Sequence, residues 1–247
     1  MQAVILAAGR GQRLAPLTEH LPKCLVPIEG EPLISHQIRA LRKGGIQKIY
    51  VVVGSHKEKI QEFLKEEGDI QRIENPEYQT TNIIMSFWYA LGAIVPEEDL
   101  IVMAGDVLFE DSIIGGLLQQ VEGELTLCVA KKRCFDEEVK VVLEESRIVQ
   151  LGKRLDPKSA YGEFLGVFKA KREVLKDIRQ VVDEMIALKE TQGYLFDMIN
   201  RLIEEKKRTV KAFEIKDALW EDIDILEDIE RVTAKLRAKK KPTLAKR

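Results

Sequence analysis

The chain has 247 residues, which suits one large domain or two small ones, and its 45% hydrophobic content is ordinary for a globular protein. Its 39 lysines and arginines nearly balance its 41 aspartates and glutamates, so its net charge does not predict a nucleic-acid partner. No apolar run approaches the roughly 18 residues that cross a bilayer, and no signal peptide fits the N-terminus, so we expect no membrane insertion.

Strands and helices alternate in the first half of the chain. The apolar runs QAVILAA, KIYVVVGS and DLIVMAGD predict strands that are buried on both faces of a parallel sheet. Helical spacing appears between them in EPLISHQIRALRKGG, KEKIQEFLKEEG and TNIIMSFWYALGAI, and Thr81 or Asn82 can cap the last of these. Repeated strand–helix units predict a doubly wound α/β sheet whose ligands lie at the carboxyl ends of the strands.

The pattern changes at Glu124 to short, partly alternating segments. ELTLCVAKK, VKVVLEE, RIVQLGK and GEFLGVFK predict a small antiparallel extension of the mostly parallel sheet. Two helices, the strand TVKAFEI and a final helix from Ile225 follow. We expect a single domain over residues 1–237 and a flexible basic tail over residues 238–247.

The first strand ends in the glycine-rich stretch LAAGRGQRL. Position 14 is leucine, so the dinucleotide fingerprint is incomplete, and the P-loop pattern is also absent. Gly9 and Gly11 nevertheless free two backbone N–H groups to approach a phosphate. Arg13 adds a planar cation and Lys23 a mobile one, a combination that suits a triphosphate. A tight turn without a ligand is the alternative interpretation.

The segment LAAGRGQRLAPLTEHLPKCLVPIEGEPLI resembles the signature of the nucleoside-triphosphate transferase family, which contains sugar-nucleotide pyrophosphorylases and cytidylyltransferases. The resemblance implies a Rossmann-like nucleotidyltransferase fold. It also implies catalytic roles for two residues: Arg13 would stabilise the leaving pyrophosphate, and Lys23 would bridge the reacting phosphates. The turn is expected to bind the nucleotide through Leu6, Ala8, Gly9 and Gly11.

Two acidic segments are candidates for holding Mg²⁺. Asp106 ends a buried strand at the ligand edge of the predicted sheet. Glu221, Asp222 and Asp224 precede the final helix, where residue type alone favours helix capping over metal binding. The family places one aspartate after the third strand and another near the end of the domain. The resemblance therefore implies that Asp106 and Asp224 are the metal ligands, with Asp222 beside them.

The segment ENPEYQTTNIIMSFWYAL departs from the Gly-Thr-Ala pattern of the sugar-1-phosphate enzymes. It resembles the cytidylyltransferases that act on phosphocholine, inositol-1-phosphate and related small phosphates. We therefore expect Asn75, Asn82 and Ser86 to bind the nucleotide. Asn82 and Ser86 lie on one helical face, and they could instead serve as a cap and a packing residue.

The same likeness points to an acceptor site. Lys140 and Lys153 would face the acceptor phosphate, although isolated lysines on strand edges are more often solvated. Glu163 would bind a hydroxyl or an amine of the acceptor. Trp220 could contact a choline ammonium, with Asp222 as a further acceptor contact. Inositol phosphate would use polar groups instead, and the residues leave both acceptors open.

Together these features predict a Mg²⁺-dependent nucleotidyltransferase that joins an NTP, with CTP expected, to a small phosphorylated alcohol and releases pyrophosphate. One alternative is a sugar-1-phosphate thymidylyl-, uridylyl- or guanylyltransferase. Another is a catalytically silent, nucleotide-sensing domain, which would be expected to lack Arg13, Lys23 or the aspartate pair.

The three cysteines, Cys24, Cys128 and Cys134, are odd in number and lack metal-ligand spacing. They are typical of reduced thiols, and we therefore expect a cytoplasmic protein. The expected partners are the nucleotide and the phosphate-bearing acceptor alone. An oligomer remains open, because the family includes monomers and oligomers.

Overall fold

A computed structural model describes residues 1–68 and 70–240. The last helix extends to Lys240, so it includes the first three residues of the segment expected to be a flexible tail. The rest of that segment, 241–247, lies outside the described residues. Within the described ranges, no helix is long and apolar enough to cross a membrane.

The longer strands and the helices lie largely where the sequence pattern predicts them, whereas the strands of two or three residues were not predicted. The strands are β1 (Gln2–Leu6), β2 (Pro27–Ile28), β3 (Glu31–Pro32), β4 (Lys48–Val53), β5 (Gln71–Glu74), β6 (Leu100–Ala104), β7 (Val107–Phe109), β8 (Leu125–Ala130), β9 (Lys140–Glu144), β10 (Arg147–Gly152), β11 (Gly162–Ala170), β12 (Val210–Glu214) and β13 (Trp220–Asp222). The helices are α1 (Leu33–Lys43), α2 (Lys57–Lys65), α3 (Ile83–Leu91), α4 (Asp111–Gln119), α5 (Arg172–Ala187), α6 (Leu195–Glu204) and α7 (Leu226–Lys240).

The main sheet has nine strands in the order β5-β4-β1-β6-β11-β8-β12-β10-β9. The first four strands are parallel, and β11 then runs antiparallel to both β6 and β8. The strands β10 and β9 continue with antiparallel pairing, and β9 also pairs with β11. The predicted α/β fold with an antiparallel extension is confirmed.

Alternate side chains of the parallel strands enter two separate apolar clusters. In β1, Val4 and Leu6 belong to one cluster, whereas Ala3 and Ile5 belong to the other. Helices α3, α5 and α6 contribute to the first cluster, and α1, α2 and α4 contribute to the second. Because both faces of the sheet are covered, the strand is apolar from Ala3 to Leu6, and its one polar residue is the buried Gln2 at its start.

The acidic segment before α7 is organised differently from the helix cap that residue type alone favours. Residues Trp220–Asp222 form β13, which pairs antiparallel with β7. The backbone N–H groups of Asp224 and Ile225 donate to the Asp228 carboxylate, at 2.7 and 2.8 Å. Since Asp228 serves these donors, the side chains of Asp222 and Asp224 remain available to the neighbouring cleft.

Candidate active site

A cleft of about 410 Å³ opens at the carboxyl edge of the parallel strands. Gly9 follows β1, Asn75 follows β5 and Asp106 follows β6, so three strands deliver polar groups or open backbone to the same edge. Asp222 and Asp224 reach it from the end of β13. This is the edge where open α/β sheets bind their ligands.

The two glycines of the turn differ in their surroundings. A Cβ added to Gly9 would have no atom within 4 Å, so this backbone is open to the cleft. Gly11 has φ of 61°, and a Cβ there would lie 2.9 Å from the Cβ of Lys23. The Thr18 hydroxyl donates to the Gly11 carbonyl at 2.7 Å. Gly9 therefore permits a close ligand approach, whereas Gly11 permits the turn to pack on the Lys23 segment.

Lys23 links the two acidic segments. Its ammonium Nζ lies 2.8 Å from an Asp106 carboxylate oxygen and 2.7 Å from an Asp224 oxygen. Arg13 donates to the other Asp224 oxygen at 2.7 Å, although its side chain is 67% exposed and that of Lys23 only 11%. All four residues singled out for catalysis or metal binding thus lie in one network.

Opposite charges and burial compete in this network. Burial would lower the pKa of Lys23, but the neighbouring carboxylates of Asp106, Asp222 and Asp224 outweigh it and raise that pKa. Burial would raise the pKa of Asp224, but Lys23 and Arg13 outweigh it and lower that pKa. Lys23 therefore stays protonated and Asp224 ionised over the neutral range.

Asp222 has the opposite shift. Its side chain is open to the cleft, yet the surrounding protein removes the carboxyl from bulk water. This desolvation, together with the nearby Asp106 carboxylate, raises the pKa of Asp222 well above its ordinary value. Three carboxyl groups therefore share this space with only the two cations of the network, Lys23 and Arg13.

The donor set suits a hard divalent cation. Asp106, Asp222 and Asp224 each offer a carboxylate oxygen, and these oxygens lie within 4.8 Å of one another. Oxygen ligands of this kind are preferred by Mg²⁺. The Ile223 N–H donates to the Asp106 carbonyl at 3.0 Å, so a backbone hydrogen bond joins the two acidic segments.

A polar wall bounds the inner side of the cleft. Asn75 is 1% exposed, donates to the Ser86 hydroxyl at 3.0 Å and accepts from the Glu77 N–H. Asn82 accepts from the Ile83 N–H at 2.8 Å and caps α3. The structure brings Asn75, Asn82 and Ser86 together in the cleft, with Asn82 also fulfilling the capping role considered from the sequence.

A second cavity of about 360 Å³ adjoins the first and shares Asp222 and Asp224 with it. Glu163 and Trp220 line this second cavity. Lys132 lies between them: its ammonium is 2.9 Å from Glu163 and 5.9 Å from the centre of the Trp220 ring. Burial raises the pKa of Glu163 despite this partner. Lys132 was missed because it stands at the end of the predicted strand segment ELTLCVAKK, just after the observed end of β8, where a lysine is most often solvated.

Two aromatic side chains of the main cleft were also missed as site residues. Tyr78 lies in the loop after β5, and Tyr194 precedes α6. The ammonium of Lys153 is 5.6 Å from the Tyr194 ring centre, so Lys153 reaches the cleft, and its predicted contact with an acceptor phosphate stays a prediction. The Tyr194 ring stacks on Phe196, with ring centres 5.1 Å apart. Tyr78 could have been found from its place after a parallel strand.

Lys140 is not where an acceptor phosphate could reach it, which corrects the prediction for this residue. Its side chain is fully buried, and it lines neither cavity. Its ammonium donates to the carbonyl of Lys153 at 2.6 Å and to those of Asp136 and Glu138 at 3.3 and 3.4 Å. A buried ammonium needs its protons satisfied, and these carbonyls of two adjacent loops satisfy it.

Lys140→Met should destabilise the protein by about 2 kcal/mol, because the three carbonyls around the buried Lys140 ammonium lose their donor. In a chain of this size that corresponds to a melting temperature lower by roughly 4–8 °C, measured by circular dichroism. Lys65→Met, at a surface lysine, is the control and should leave the melting temperature nearly unchanged. Equal melting temperatures of the two variants would show that the buried hydrogen bonds are not important for stability.

The profile of the MobA-like NTP transferase domain matches residues 3–190. The chain belongs to this family. The CTP:phosphoglutamine cytidylyltransferase of Campylobacter jejuni is 30% identical over 254 residues, which cover 93% of this chain and 98% of that protein. The prediction that the chain is a nucleotidyltransferase, made from the glycine-rich motif, is thereby confirmed.

Solved structures agree with this assignment. The inositol-1-phosphate CTP transferase of T. maritima superposes with a TM-score of 0.78 and 25% identity, and the match covers 96% of each chain. The CTP:phosphocholine cytidylyltransferase of Streptococcus pneumoniae gives 0.79 and 24%, covering 95% of this chain and 98% of that one. The latter shows a shared fold. The expected likeness to the cytidylyltransferase branch is confirmed.

Proposed function

We propose that the protein transfers the cytidylyl group of CTP to the phosphate of a small phosphorylated alcohol, releasing pyrophosphate. The observation that carries this proposal is the position of Lys23 between Asp106 and Asp224, beside the open backbone of Gly9. The arrangement brings the cations Arg13 and Lys23 and the carboxylates proposed to bind a metal to the same cleft. The choice of CTP is supported by the relatives that act on phosphoglutamine and inositol-1-phosphate.

The reaction is an in-line displacement at the α-phosphorus of the nucleotide. An oxygen of the acceptor phosphate forms the new P–O bond, and the bond to the bridging oxygen of the β-phosphate breaks, so that pyrophosphate leaves with its electron pair. The attacking phosphate is already an anion, so no strong general base is needed. Alignment and charge neutralisation supply most of the rate.

Two cations would neutralise the departing charge. Lys23 exchanges its carboxylate partners for the reacting phosphate oxygens, which its flexible side chain permits. Arg13 is mostly exposed at the mouth of the cleft, so its guanidinium can bind the leaving pyrophosphate through two oxygens. Asp106 and Asp224, with Asp222 beside them, would hold Mg²⁺, which when bound supplies positive charge to the phosphates.

The nucleoside would lie along the inner wall of the cleft. Leu6 at the end of β1 and Ala8 just after it line this wall, and Gly9 continues the backbone towards the phosphates. Asn75 and Ser86 offer polar atoms for the base or the ribose. Gly11 supports the phosphate turn by its packing on Lys23 rather than by lining the cleft.

The acceptor would enter from the other side of the aspartate group. Its phosphate would meet Asp222 and the metal, and its alcohol part would extend towards the second cavity. Glu163 and Trp220 are available there to a hydroxyl, an amine or an apolar edge. Lys153, at the far end of the main cleft, is placed to contact a second polar group of the acceptor or its phosphate.

A pyrophosphate-release assay across nucleotides and acceptors tests the proposal. CTP, UTP, GTP, ATP and dTTP are each combined with phosphocholine, inositol-1-phosphate, phosphoglutamine, aminoethylphosphonate and hexose-1-phosphates in the presence of Mg²⁺. We expect release with CTP and one of the non-sugar acceptors, and none after chelation with EDTA.

The other outcomes identify the alternatives. Release with dTTP, UTP or GTP and a hexose-1-phosphate would assign the chain to the sugar-1-phosphate nucleotidyltransferases. Calorimetric binding of a nucleotide without release from any pair would indicate a nucleotide-sensing domain. Turnover that resists EDTA would exclude the role given to Asp106 and Asp224.

We also propose that the enzyme works in the cytoplasm. Nucleoside triphosphates are available there, and the thiols of Cys24, Cys128 and Cys134 are unpaired and buried. Burial raises the pKa of Cys24 to about 12, so this thiol beside Lys23 is not a nucleophile at neutral pH.

A further inference from the structure

We propose that Gln37 is a positioning residue for Asp106: its side-chain amide holds the turn that carries this carboxylate. The inference rests on the proposed function, because that function gives Asp106 a metal to bind. Gln37 lies on α1, away from the cleft lining, so it does not itself meet a substrate. Its effect would pass through the backbone of the turn.

The contacts of the amide define this role. Gln37 is fully buried, and its Nε2 donates to the carbonyls of Ala104 at 2.8 Å and Val107 at 2.9 Å. These two residues flank Gly105 and Asp106. Both amide protons are therefore used on the two ends of one short turn between β6 and β7.

The carbonyl oxygen of the same amide, Gln37 Oε1, is in a less favourable position than the donor nitrogen. Among the described residues, the buried Gln37 Oε1 has no hydrogen-bond partner. A buried, unpaired carbonyl is unfavourable, and a methionine of similar size would avoid it. The contribution of Gln37 to the folded state therefore comes through its two donors, and both act on the Asp106 turn.

The rest of the turn is held by backbone contacts. The Gly105 N–H donates to the Leu6 carbonyl at 2.9 Å, and a Cβ on Gly105 would lie 2.8 Å from the Cα of Ala7. The Asp106 carbonyl accepts from the Ile223 N–H at 3.0 Å. Gln37 thus supplies the side-chain hydrogen bonds to a turn that β1 and the Asp222–Asp224 segment contact from other directions.

The position of this turn decides the spacing of the metal ligands. Carboxylate oxygens must keep their places within about half an ångström to bind a cation well. Residues that orient metal ligands from outside the coordination sphere typically change metal affinity by about 10- to 100-fold when they are replaced. Without the Gln37 donors, the carbonyls of Ala104 and Val107 must seek other partners, and Asp106 moves with them.

Gln2 offers a matched control for this inference. It is another fully buried glutamine, and its Nε2 also donates to two carbonyls, those of Val95 and Glu98. It lies at the start of β1, the opposite end of the strand from the cleft. Gln2→Met therefore removes two hydrogen bonds of the same kind, and also the one that Gln2 Oε1 accepts from the Val95 N–H, without touching the aspartates.

The experiment titrates Mn²⁺ into the wild-type protein, Gln37→Met, Gln2→Met and Asp106→Asn without nucleotide, and free Mn²⁺ is followed by electron paramagnetic resonance. Gln37→Met should bind Mn²⁺ about 10- to 100-fold more weakly than wild type. Gln2→Met should bind like wild type although it also loses stability, and Asp106→Asn should show the site-specific loss. Gln37→Glu keeps the side-chain volume but has at most one proton to donate, so it should also weaken Mn²⁺ binding. This variant replaces Gln37→Met in the experiment if Gln37→Met does not fold.

Wild-type Mn²⁺ affinity in Gln37→Met or Gln37→Glu would overturn the inference, as would an equal loss in Gln2→Met. Absence of Mn²⁺ binding by the wild-type protein would overturn both the inference and the metal site of the proposed function. Intact Mn²⁺ binding that depends on Gln37, without pyrophosphate release from any substrate pair, would instead overturn the proposed function and leave the inference standing.

Discussion

Replacing Lys23 with methionine should lower turnover by about 10³-fold or more while the protein stays folded. Methionine keeps most of the aliphatic stem, which packs against the turn at Gly11. The substitution therefore removes the charge and leaves the packing largely intact. Pyrophosphate release under saturating substrates measures the loss, and circular dichroism checks the fold.

The expected size follows from the position of the ammonium. Lys23 is the more buried of the two cations in the network, and it contacts both acidic segments. In the proposed reaction, negative charge grows on the oxygens that leave with pyrophosphate. A single preorganised donor at such a site is typically worth about 10²–10³ in rate, and a full charge beside phosphates adds to this.

Lys48→Met is the control for this experiment. Lys48 also forms an ion pair, with Glu98, but at the start of β4 and far from the cleft. The Lys48→Met variant should retain wild-type turnover. Lys23→Met with wild-type turnover would exclude Lys23 from the reaction and, with it, the central observation behind the proposed function.

Positions that follow a buried strand could be predicted from the sequence. Gly9 and Asp106 come directly after long apolar runs, and the carboxyl ends of parallel strands meet at one edge. Arg13 stands in the same glycine turn and Lys23 ten residues beyond it, and the family resemblance supplied their catalytic roles. Asp224 needed the family resemblance, because an acidic residue before a helix equally predicts a cap, and the three-residue strand β13 is too short to produce a periodic pattern.

Other features depend on where a side chain points, which one sequence does not show. Lys140 begins a strand, and only the fold reveals that its ammonium turns inwards to the carbonyl of Lys153. Gln37 lies among apolar residues on α1, so it gives no functional signal until Ala104 and Val107 are seen beside it. Tyr194 reaches the cleft from a distant part of the chain.

Asp106→Asn should abolish turnover, again by about 10³-fold, with little change in stability. The amide keeps the shape of the carboxylate and can still accept from Lys23. It removes one of three carboxylates from the proposed metal site and so weakens Mg²⁺ binding. The change in the free energy of unfolding is expected to stay within about 1 kcal/mol. Asp106→Asn removes the attraction between this residue and Lys23, but it also removes its repulsion of Asp222. That repulsion is present because the Asp106 carboxylate helps to raise the pKa of Asp222.

Asp111→Asn separates this effect from the loss of any ion-paired aspartate. Asp111 pairs with Lys43 at the start of α4, and its side chain is 28% exposed, compared with 36% for Asp106. The Asp111→Asn variant should keep full turnover and lose a small amount of stability, since it gives up ion pairs with Lys43 and Arg39. In the proposed function, Asp106 belongs to a group of like charges that a cation holds together, so its replacement should lower activity without lowering stability. Full turnover of Asp106→Asn, or a melting temperature far below that of Asp111→Asn, would contradict this account of the three aspartates.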